Sequence, residues 1–179
     1  MGAEAAEGAK RFMVSGDVYD AFMGRYSRPL ATLFADFAGV SAGQSALDVG
    51  CGPGAMTGEL MARLGASSVS AIDPSPTFVE ACATRHPGVD VRLAPAESIP
   101  FEDGSFDRAV AQLVLHFVTD PERVAGELRR VLRPGGVAAG CVWDFGGGMN
   151  RKWDEVQNTT KDCQMVASLL LLKLRQSWR

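Results

Sequence analysis

The stretch Leu47-Asp48-Val49-Gly50-Cys51-Gly52-Pro53-Gly54 decides the fold of this chain. It begins as a short apolar strand signal, includes an acid, and ends in three alternating glycines. Glycine lacks a Cβ, so its backbone can turn sharply and a ligand can lie directly against the main chain. Between a buried strand and a helix, such a loop is typical of the crevice in which doubly wound α/β proteins bind nucleotides.

Strand and helix signals alternate around this loop. Short apolar runs predict strands, and amphipathic or capped segments between them predict helices. The predicted strands are 46–49, 69–72, 89–93, 106–113 and 137–143, and the predicted helices that connect them are 57–64, 76–85 and 121–132. Because strands that alternate with helices pair in parallel through right-handed crossovers, the pattern predicts a Rossmann-like, doubly wound α/β fold with a mostly parallel sheet.

Two amphipathic helices are predicted before the first strand. Apolar side chains recur at helical spacing over 18–26 and again over 30–37, with Pro29 between the two runs. Residues 1–13 are predicted to form a disordered lead-in, because they are rich in Ala, Gly and Glu and resemble neither a signal peptide nor a basic arm. The main domain is predicted to span 14–150.

Composition limits the partners of the chain. With 179 residues it has the size of one domain, and a net charge of −3 provides no electrostatic footprint for nucleic acid. Its cysteines are too widely spaced for a zinc site or a disulfide framework, so we expect no metal and four buried thiols in a reducing cytoplasm. These cysteines are Cys51, Cys82, Cys141 and Cys163.

The glycine loop by itself fits two kinds of nucleotide ligand. Gly50, Gly52 and Ala55 also satisfy the dinucleotide fingerprint, and Asp73 lies near the distance expected for a ribose-binding acid. Asp48, at the tip of the first strand, would oppose a pyrophosphate and would favour a cation such as an ammonium or a sulfonium. The residues therefore favour a cationic ligand, while a dinucleotide remains an alternative.

Four further motifs follow the glycine loop. They are Ala71-Ile72-Asp73, Ala96-Glu97-Ser98-Ile99-Pro100-Phe101, Asp103-Gly104-Ser105-Phe106-Asp107 and Leu132-Arg133-Pro134-Gly135-Gly136. With these motifs in this order and spacing, the region 14–144 resembles the class I S-adenosylmethionine-dependent methyltransferases of the small-molecule type. The resemblance implies S-adenosylmethionine as the cofactor and direct methyl transfer to a small-molecule acceptor in the cytoplasm.

The resemblance also implies roles at the carboxyl ends of the first two strands. Asp48 and the carbonyl edge of the loop would face the methionyl ammonium, and the three glycines would pack against the cofactor. Asp73 would accept hydrogen bonds from both ribose hydroxyls, although its place beside Ser75 also fits a helix N-cap.

Further roles follow for the later strands. Ala96 would offer its backbone N–H to the adenine ring and Glu97 would lie near the exocyclic amine, although the family often has an acid where Pro95 stands. Gln112 and Leu113 would lie closest to the methionine moiety of the cofactor.

His116, in the loop after the fourth predicted strand, is the candidate catalytic base, because histidine titrates near neutral pH. A histidine that packs this loop explains the position equally well. Methyl transfer needs a base only where the nucleophile arrives protonated, because the sulfonium is already an activated electrophile. The other histidine, His86, is predicted to lie at the surface.

Tyr19 and Arg25 belong to the first predicted helix, which in similar enzymes covers the cofactor. Arg25 could contact the methionyl carboxylate, and Tyr19 could close over it. A covering helix with Arg25 in solvent is the alternative.

Residues 151–179 depart from the family pattern, which usually continues with a helix and two more strands. Apolar side chains at spacings of three and four predict a single atypical helix instead. This helix could pack on the sheet, could be an interfacial or partner-binding helix, or could be the altered terminus of a truncated enzyme. We favour a helix that packs on a shortened sheet, which lacks the usual last strands. The apolar run 166–172 is too short to span a membrane.

A shortened sheet has two consequences. An exposed edge strand could pair with a second copy of the chain, which would give a homo-oligomer. Loss of part of the substrate wall could leave a catalytically inactive cofactor-binding protein. An NAD(P)-dependent oxidoreductase is the remaining alternative.

Overall fold

The computed structural model describes the backbone of residues 16–143 and 169–175 and the side chains of residues 26–142. The elements are α1 (Gly16–Ala38), β1 (Ala46–Val49), α2 (Ala55–Leu64), β2 (Val69–Asp73), α3 (Pro76–Arg85), β3 (Asp90–Leu93), β4 (Phe106–Gln112), α4 (Pro121–Val131), β5 (Leu132–Trp143) and β6 (Leu169–Arg175). A short 3₁₀ turn at Ala66–Ser68 connects α2 to β2.

One six-stranded sheet organises these elements, in the order β3-β2-β1-β4-β5-β6. Strands β1 to β5 pair in parallel, and β6 pairs antiparallel with β5. After β1 the chain builds one side of the sheet through β2 and β3, and then returns to the other side of β1 with β4. The strand order therefore reverses between β1 and β4, where doubly wound sheets open a crevice at their carboxyl ends. The predicted Rossmann-like fold is confirmed.

Hydrophobic clusters cover the sheet on both faces. All four residues of β1 are buried, as expected for a central parallel strand. One cluster joins the sheet to α1 and α2 and includes Leu30, Phe34, Leu60, Val69 and Val110. A second cluster joins it to α4 and includes Leu47, Val49, Ile72, Val124 and Val131. The core thus fixes β1, and with it the start of the glycine loop.

The N-terminal segment is one helix where two were predicted. Pro29 lies inside α1, which is continuous from Gly16 to Ala38. An internal proline costs a helix about 3 kcal/mol, because it removes a hydrogen bond and crowds the preceding turn. The residues that follow it, Leu30, Ala31 and Phe34, are almost fully buried in the core, and we attribute the continuity of the helix to that burial. The predicted lead-in at 1–13 lies outside the described residues.

The C-terminal prediction is wrong at 169–175, where the chain forms strand β6 and not a helix. Seven pairs, from Val137 with Arg175 to Trp143 with Leu169, join it to β5. A short apolar run fits a strand as well as a buried helix, so periodicity alone could not separate them. The edge of β5 that was predicted to be exposed is therefore paired within the chain. Residues 151–168 and 176–179 lie outside the described residues.

No helix in the described part of the chain is both long enough and apolar enough to cross a membrane.

Candidate functional site

The glycine loop leaves β1 through three residues in the left-handed region. Gly50, Gly52 and Gly54 have φ angles of 71°, 52° and 98°. The N–H groups of Gly50 and Cys51 both donate to the carbonyl oxygen of Ile72, at 2.8 and 2.9 Å, and so attach the loop to β2. The alternating glycines are thus required by the backbone itself.

Asp73, at the end of β2, holds this loop against the start of α3. Its Oδ2 accepts the N–H of Gly52 at 2.9 Å, and its Oδ1 accepts the N–H of Ser75 at 2.8 Å. Burial raises the pKa of the carboxyl, and the two backbone hydrogen bonds oppose that rise. The N-cap of α3 is Ser75 itself, so Asp73 is not the cap and instead binds the N–H of the cap residue. Each oxygen keeps a second lone pair, so binding to a ribose remains a prediction.

Asp48 is the most deeply buried acid of the site, with 1% of its surface exposed. Thr57, in the first turns of α2, donates its hydroxyl to Asp48 Oδ2 at 2.6 Å. Asp48 Oδ1 is buried and has no hydrogen-bond partner. Burial raises the pKa of this carboxyl to about 7, against the lowering effect of the Thr57 hydrogen bond. The group can therefore gain or lose its proton near neutral pH.

Gln112, the last residue of β4, supplies a second buried acceptor that has no donor. Its Nε2 donates to the carbonyl oxygen of Ser27 on α1 at 3.0 Å, which leaves Oε1 buried without a hydrogen-bond partner. Gln112 and Asp48 line the same cleft, whose enclosed part has a volume of about 40 Å³. The complete lining is Ser27, Asp48, Gly50, Cys51, Gly52, Pro53, Ala55, Met56, Gln112 and Leu113. The cleft thus presents two unsatisfied acceptors and has room for a small group of donors.

Leu113 adds backbone strain at the same place. Its φ of 62° is the one positive value of a non-glycine residue in the described part of the chain, and it costs about 1–2 kcal/mol. Its N–H donates to the carbonyl oxygen of Cys141 in β5 at 2.9 Å. Such strain is concentrated at functional sites, where the surrounding structure enforces it.

The structure brings together only some of the predicted site residues. Asp48, Gly50, Gly52, Gln112 and Leu113 line the cleft. Asp73 contacts the loop, and Gly54 is the N-cap of α2. The side chains of Tyr19 and Arg25 lie outside the described residues.

Ala96 and Glu97 follow β3 and do not line this cleft. Ala96 is buried. The Glu97 carboxylate accepts the N–H and the hydroxyl of Thr119, at 2.9 and 3.0 Å. Partial burial acts to raise the pKa of Glu97, but these hydrogen bonds lower it below its usual value. Glu97 therefore holds the loop before α4, and its contact with an adenine amine remains a prediction.

His116 also lies away from the lining of the cleft. Its ring packs on that of Phe117, with centroids 4.0 Å apart. Burial lowers the pKa of His116, so the imidazole is neutral at pH 7. A neutral imidazole can accept a proton, and the role of a base remains a prediction.

Two features of the site were not predicted from the sequence. The contact between Thr57 and Asp48 depends on how α2 folds back on β1, which no local pattern reveals. His86 is half-buried, not at the surface as predicted. It fills a notch left by two glycines: a Cβ at Gly54 would lie 2.5 Å from His86 Nε2, and one at Gly58 would lie 2.9 Å from Cε1. Burial accordingly lowers the pKa of His86.

Fold and site together define a Rossmann-like domain with a nucleotide-type loop at its topological switch point. Residues 47–140 match the profile of a family described as "Methyltransferase domain". The match covers more than half of the chain, which therefore belongs to this family. The predicted membership of the S-adenosylmethionine-dependent methyltransferases is confirmed.

Two curated relatives share part of this sequence, and one of them is named as a methyltransferase. An uncharacterised 37.1 kDa protein in transposon TN4556 of Streptomyces fradiae is 46% identical over 98 residues, covering 52% of this chain and 28% of that protein. A probable phthiotriol/phenolphthiotriol dimycocerosates methyltransferase 2 of Mycobacterium ulcerans is 38% identical over 99 residues, covering 54% and 38%. The chain thus spans less than half the length of these two relatives.

Solved structures share the fold. The [4+2]-cyclase SpnF is 30% identical with a TM-score of 0.59, covering 64% of this chain and 44% of that one. A SAM-dependent methyltransferase from Aquifex aeolicus has a TM-score of 0.58 at 24% identity, covering 64% of each chain. The second similarity is evidence of the fold alone.

Proposed function

We propose that this chain binds S-adenosylmethionine in the cleft between β1 and β4 and transfers its methyl group to a small-molecule acceptor. The observation that carries the proposal is the pair of buried acceptors, Asp48 Oδ1 and Gln112 Oε1, that have no donor. A buried acceptor without a donor costs about 1–3 kcal/mol, which a bound donor would recover.

The methionyl ammonium is suited to this pair. It carries three N–H donors and a positive charge, and the enclosed part of the cleft, about 40 Å³, is large enough for such a group. A dinucleotide would instead bring an anionic pyrophosphate towards Asp48, at an electrostatic cost. Ammonium binding would also favour the ionised form of Asp48, so a proton would leave the site as the ligand binds.

The remaining predicted residues would hold the rest of the cofactor. Asp73 would accept ribose hydroxyls, Ala96 and Glu97 would border the adenine, and Tyr19 and Arg25 would cover the methionine end. The sulfonium supplies an activated methyl group, so the chain needs mainly to align the acceptor and exclude water. His116, neutral at pH 7, would accept a proton from an acceptor that arrives protonated.

The acceptor is proposed as a small molecule that carries a hydroxyl or amine nucleophile. The M. ulcerans relative is named for phthiotriol and phenolphthiotriol dimycocerosates, which makes alcohols and phenols a first class to test. Because the described thiols Cys51, Cys82 and Cys141 are free, we place the enzyme in the reducing cytoplasm.

Calorimetric titration with S-adenosylmethionine, S-adenosylhomocysteine, NADH and NADPH tests the proposal. We expect both sulfur ligands to bind and both dinucleotides to give no heat. Asp48→Asn should weaken binding of S-adenosylhomocysteine at least tenfold, because it removes the countercharge of the ammonium. Glu122→Gln, which changes an exposed acid on α4, is the matched control and should bind as the wild type does.

The outcome separates three functions. Binding of a dinucleotide without either sulfur ligand would favour the oxidoreductase and overturn the proposal. Binding of S-adenosylmethionine without methyl transfer to a panel of alcohols, phenols and amines would favour the inactive cofactor-binding protein.

A further inference from the structure

Two buried thiols lie together behind the glycine loop, and the proposed methyl transfer uses neither. Cys51 belongs to the loop and Cys82 to α3, and with Ala71 of β2 they form one buried cluster. Cys51 is 6% exposed and Cys82 is fully buried. A Cβ at Gly54 would lie 3.1 Å from Cys82 Sγ, so α3 places this sulfur directly against the loop.

The two thiol side chains pack in the same cluster of three residues. Their interaction, together with burial, raises the pKa of Cys51, and the same interaction lowers the pKa of Cys82. Cys82 Sγ also lies 3.5 Å from the hydroxyl oxygen of Thr57. A disulfide needs its two sulfur atoms to approach to bonding distance, and packing in one cluster of three residues places the two side chains for that approach.

Only one of the two thiols can be reached from the cleft. Cys51 lines the cleft, whereas Cys82 does not. The enclosed volume of about 40 Å³ admits molecules of the size of water, and hydrogen peroxide is only slightly larger. Cys141 is fully buried and does not line the cleft. A small oxidant in the cleft therefore meets Cys51 first, with Cys82 directly behind it.

We propose that Cys51 and Cys82 are an oxidation site that forms a reversible disulfide when a peroxide enters the cleft. The Cys51 thiolate attacks one peroxide oxygen, the O–O bond breaks, and hydroxide leaves and takes up a proton, so that Cys51 becomes a sulfenic acid. The Cys82 thiolate then attacks Cys51 Sγ, the S–S bond forms, the S–O bond breaks, and a second water leaves. In total, two thiols are oxidised and one peroxide is reduced to two waters.

The test is a peptide map of the full chain after treatment with hydrogen peroxide and without reduction. Trypsin cleaves after Arg63, which places Cys51 and Cys82 on different peptides. We expect one linked pair of peptides, lighter by two hydrogen atoms, that dithiothreitol separates. Because the pKa of Cys51 is raised, the linkage should form faster as the pH increases.

Serine variants identify the partners. Cys51→Ser and Cys82→Ser should each abolish the linked pair, whereas Cys141→Ser, which removes another buried thiol, should retain it. Separate conversion of Cys51 and Cys82 to sulfinic acids would overturn the proposal, and so would linkage of either residue mainly to Cys141 or Cys163. The map of the wild type decides the question even if a serine variant does not fold, and it does not depend on which nucleotide the cleft binds.

Discussion

The buried carboxyl of Asp48 accepts one side-chain hydrogen bond, from the hydroxyl of Thr57. Thr57 satisfies one carboxylate oxygen at 2.6 Å, and the other oxygen has no hydrogen-bond partner. An ionised carboxylate in this position loses its hydration without full compensation, which explains why its pKa rises to about 7. The residue is therefore costly to the fold in its charged form, and we infer that it is retained for a ligand.

Asp48 should make the free energy of unfolding decrease as the pH rises. The native carboxyl keeps its proton up to about pH 7, whereas the unfolded one loses it near 3.8. Between these values the native state binds the extra proton, so stability falls with pH, by at most about 4 kcal/mol. Asp48→Asn removes this effect and should gain stability relative to the wild type over the same interval.

Urea unfolding at about pH 4.5 and about pH 7.5 measures this difference. Glu122→Gln, on an exposed part of α4, serves as the control and should show a constant difference from the wild type. A constant difference for Asp48→Asn as well would mean that the carboxyl ionises normally in the fold.

At the residue scale, the sequence predicted the site only where a local pattern carries the role. The glycines and Asp48 could be predicted because strand, turn and helix adjoin in sequence. The hydrogen bond from Thr57 and the notch that holds His86 could not, because both arise where separate elements pack. The contact of Asp73 with the glycine loop could not be predicted either, and the suggested N-cap role belongs to Ser75.

At the scale of elements, the glycine loop after β1 packs closely against the loop that follows β4. Gly50 combines a φ of 71° with close packing, since a Cβ there would lie 2.5 Å from Val114 Cγ2. Gly43 has a similar φ of 85° but nothing within 4 Å of its Cβ position. A substitution at Gly43 therefore measures the free-energy cost of backbone strain alone, whereas a substitution at Gly50 adds the cost of crowding.

Gly50→Ala should destabilise the protein by about 2–5 kcal/mol, from backbone strain of about 1–2 kcal/mol and overpacking of about 1–3 kcal/mol. Gly43→Ala should cost only about 1–2 kcal/mol. Chemical denaturation of both variants checks the difference. Val114→Ala should recover part of the loss in the Gly50→Ala background and none in the Gly43→Ala background; equal losses in the two single variants would contradict the packing argument.

The elements that were predicted wrongly share a physical cause. Pro29 indicated a break, but the burial of the residues after it favours a continuous α1. Leu132 was predicted to be the last residue of the helix 121–132. In the structure it pairs with Phe106 and is the first residue of β5. Local propensity decides such segments only where tertiary pairing does not compete.

At the scale of the whole molecule, β6 takes the place of β5 as the edge strand of the sheet. It covers β5 from Val137 to Trp143 through backbone pairing. An uncovered parallel edge presents free N–H and C=O groups and promotes association between chains. Since β4 and β6 flank it, β5 is paired on both sides, and its backbone edge is not available to another chain.

Deletion of 169–179 should cause concentration-dependent association and should lower the denaturation midpoint. Deletion of 176–179, which leaves β6 complete, is the matched control and should behave as the full chain does. Sedimentation velocity and thermal unfolding measure both effects. If the larger deletion kept the association state and the stability of the full chain, the pairing of β5 with β6 would have no protective role.

The hydrogen bond from Gln112 to Ser27 links positions 85 residues apart in the chain and connects the floor of the cleft to α1. A donor that binds Gln112 Oε1 polarises the amide, and a polarised amide donates more strongly through Nε2. Occupation of the cleft would then strengthen the hydrogen bond from Gln112 to α1. A bound ligand would thus slow the opening of α1, and slower amide exchange along α1 would report occupation of the cleft.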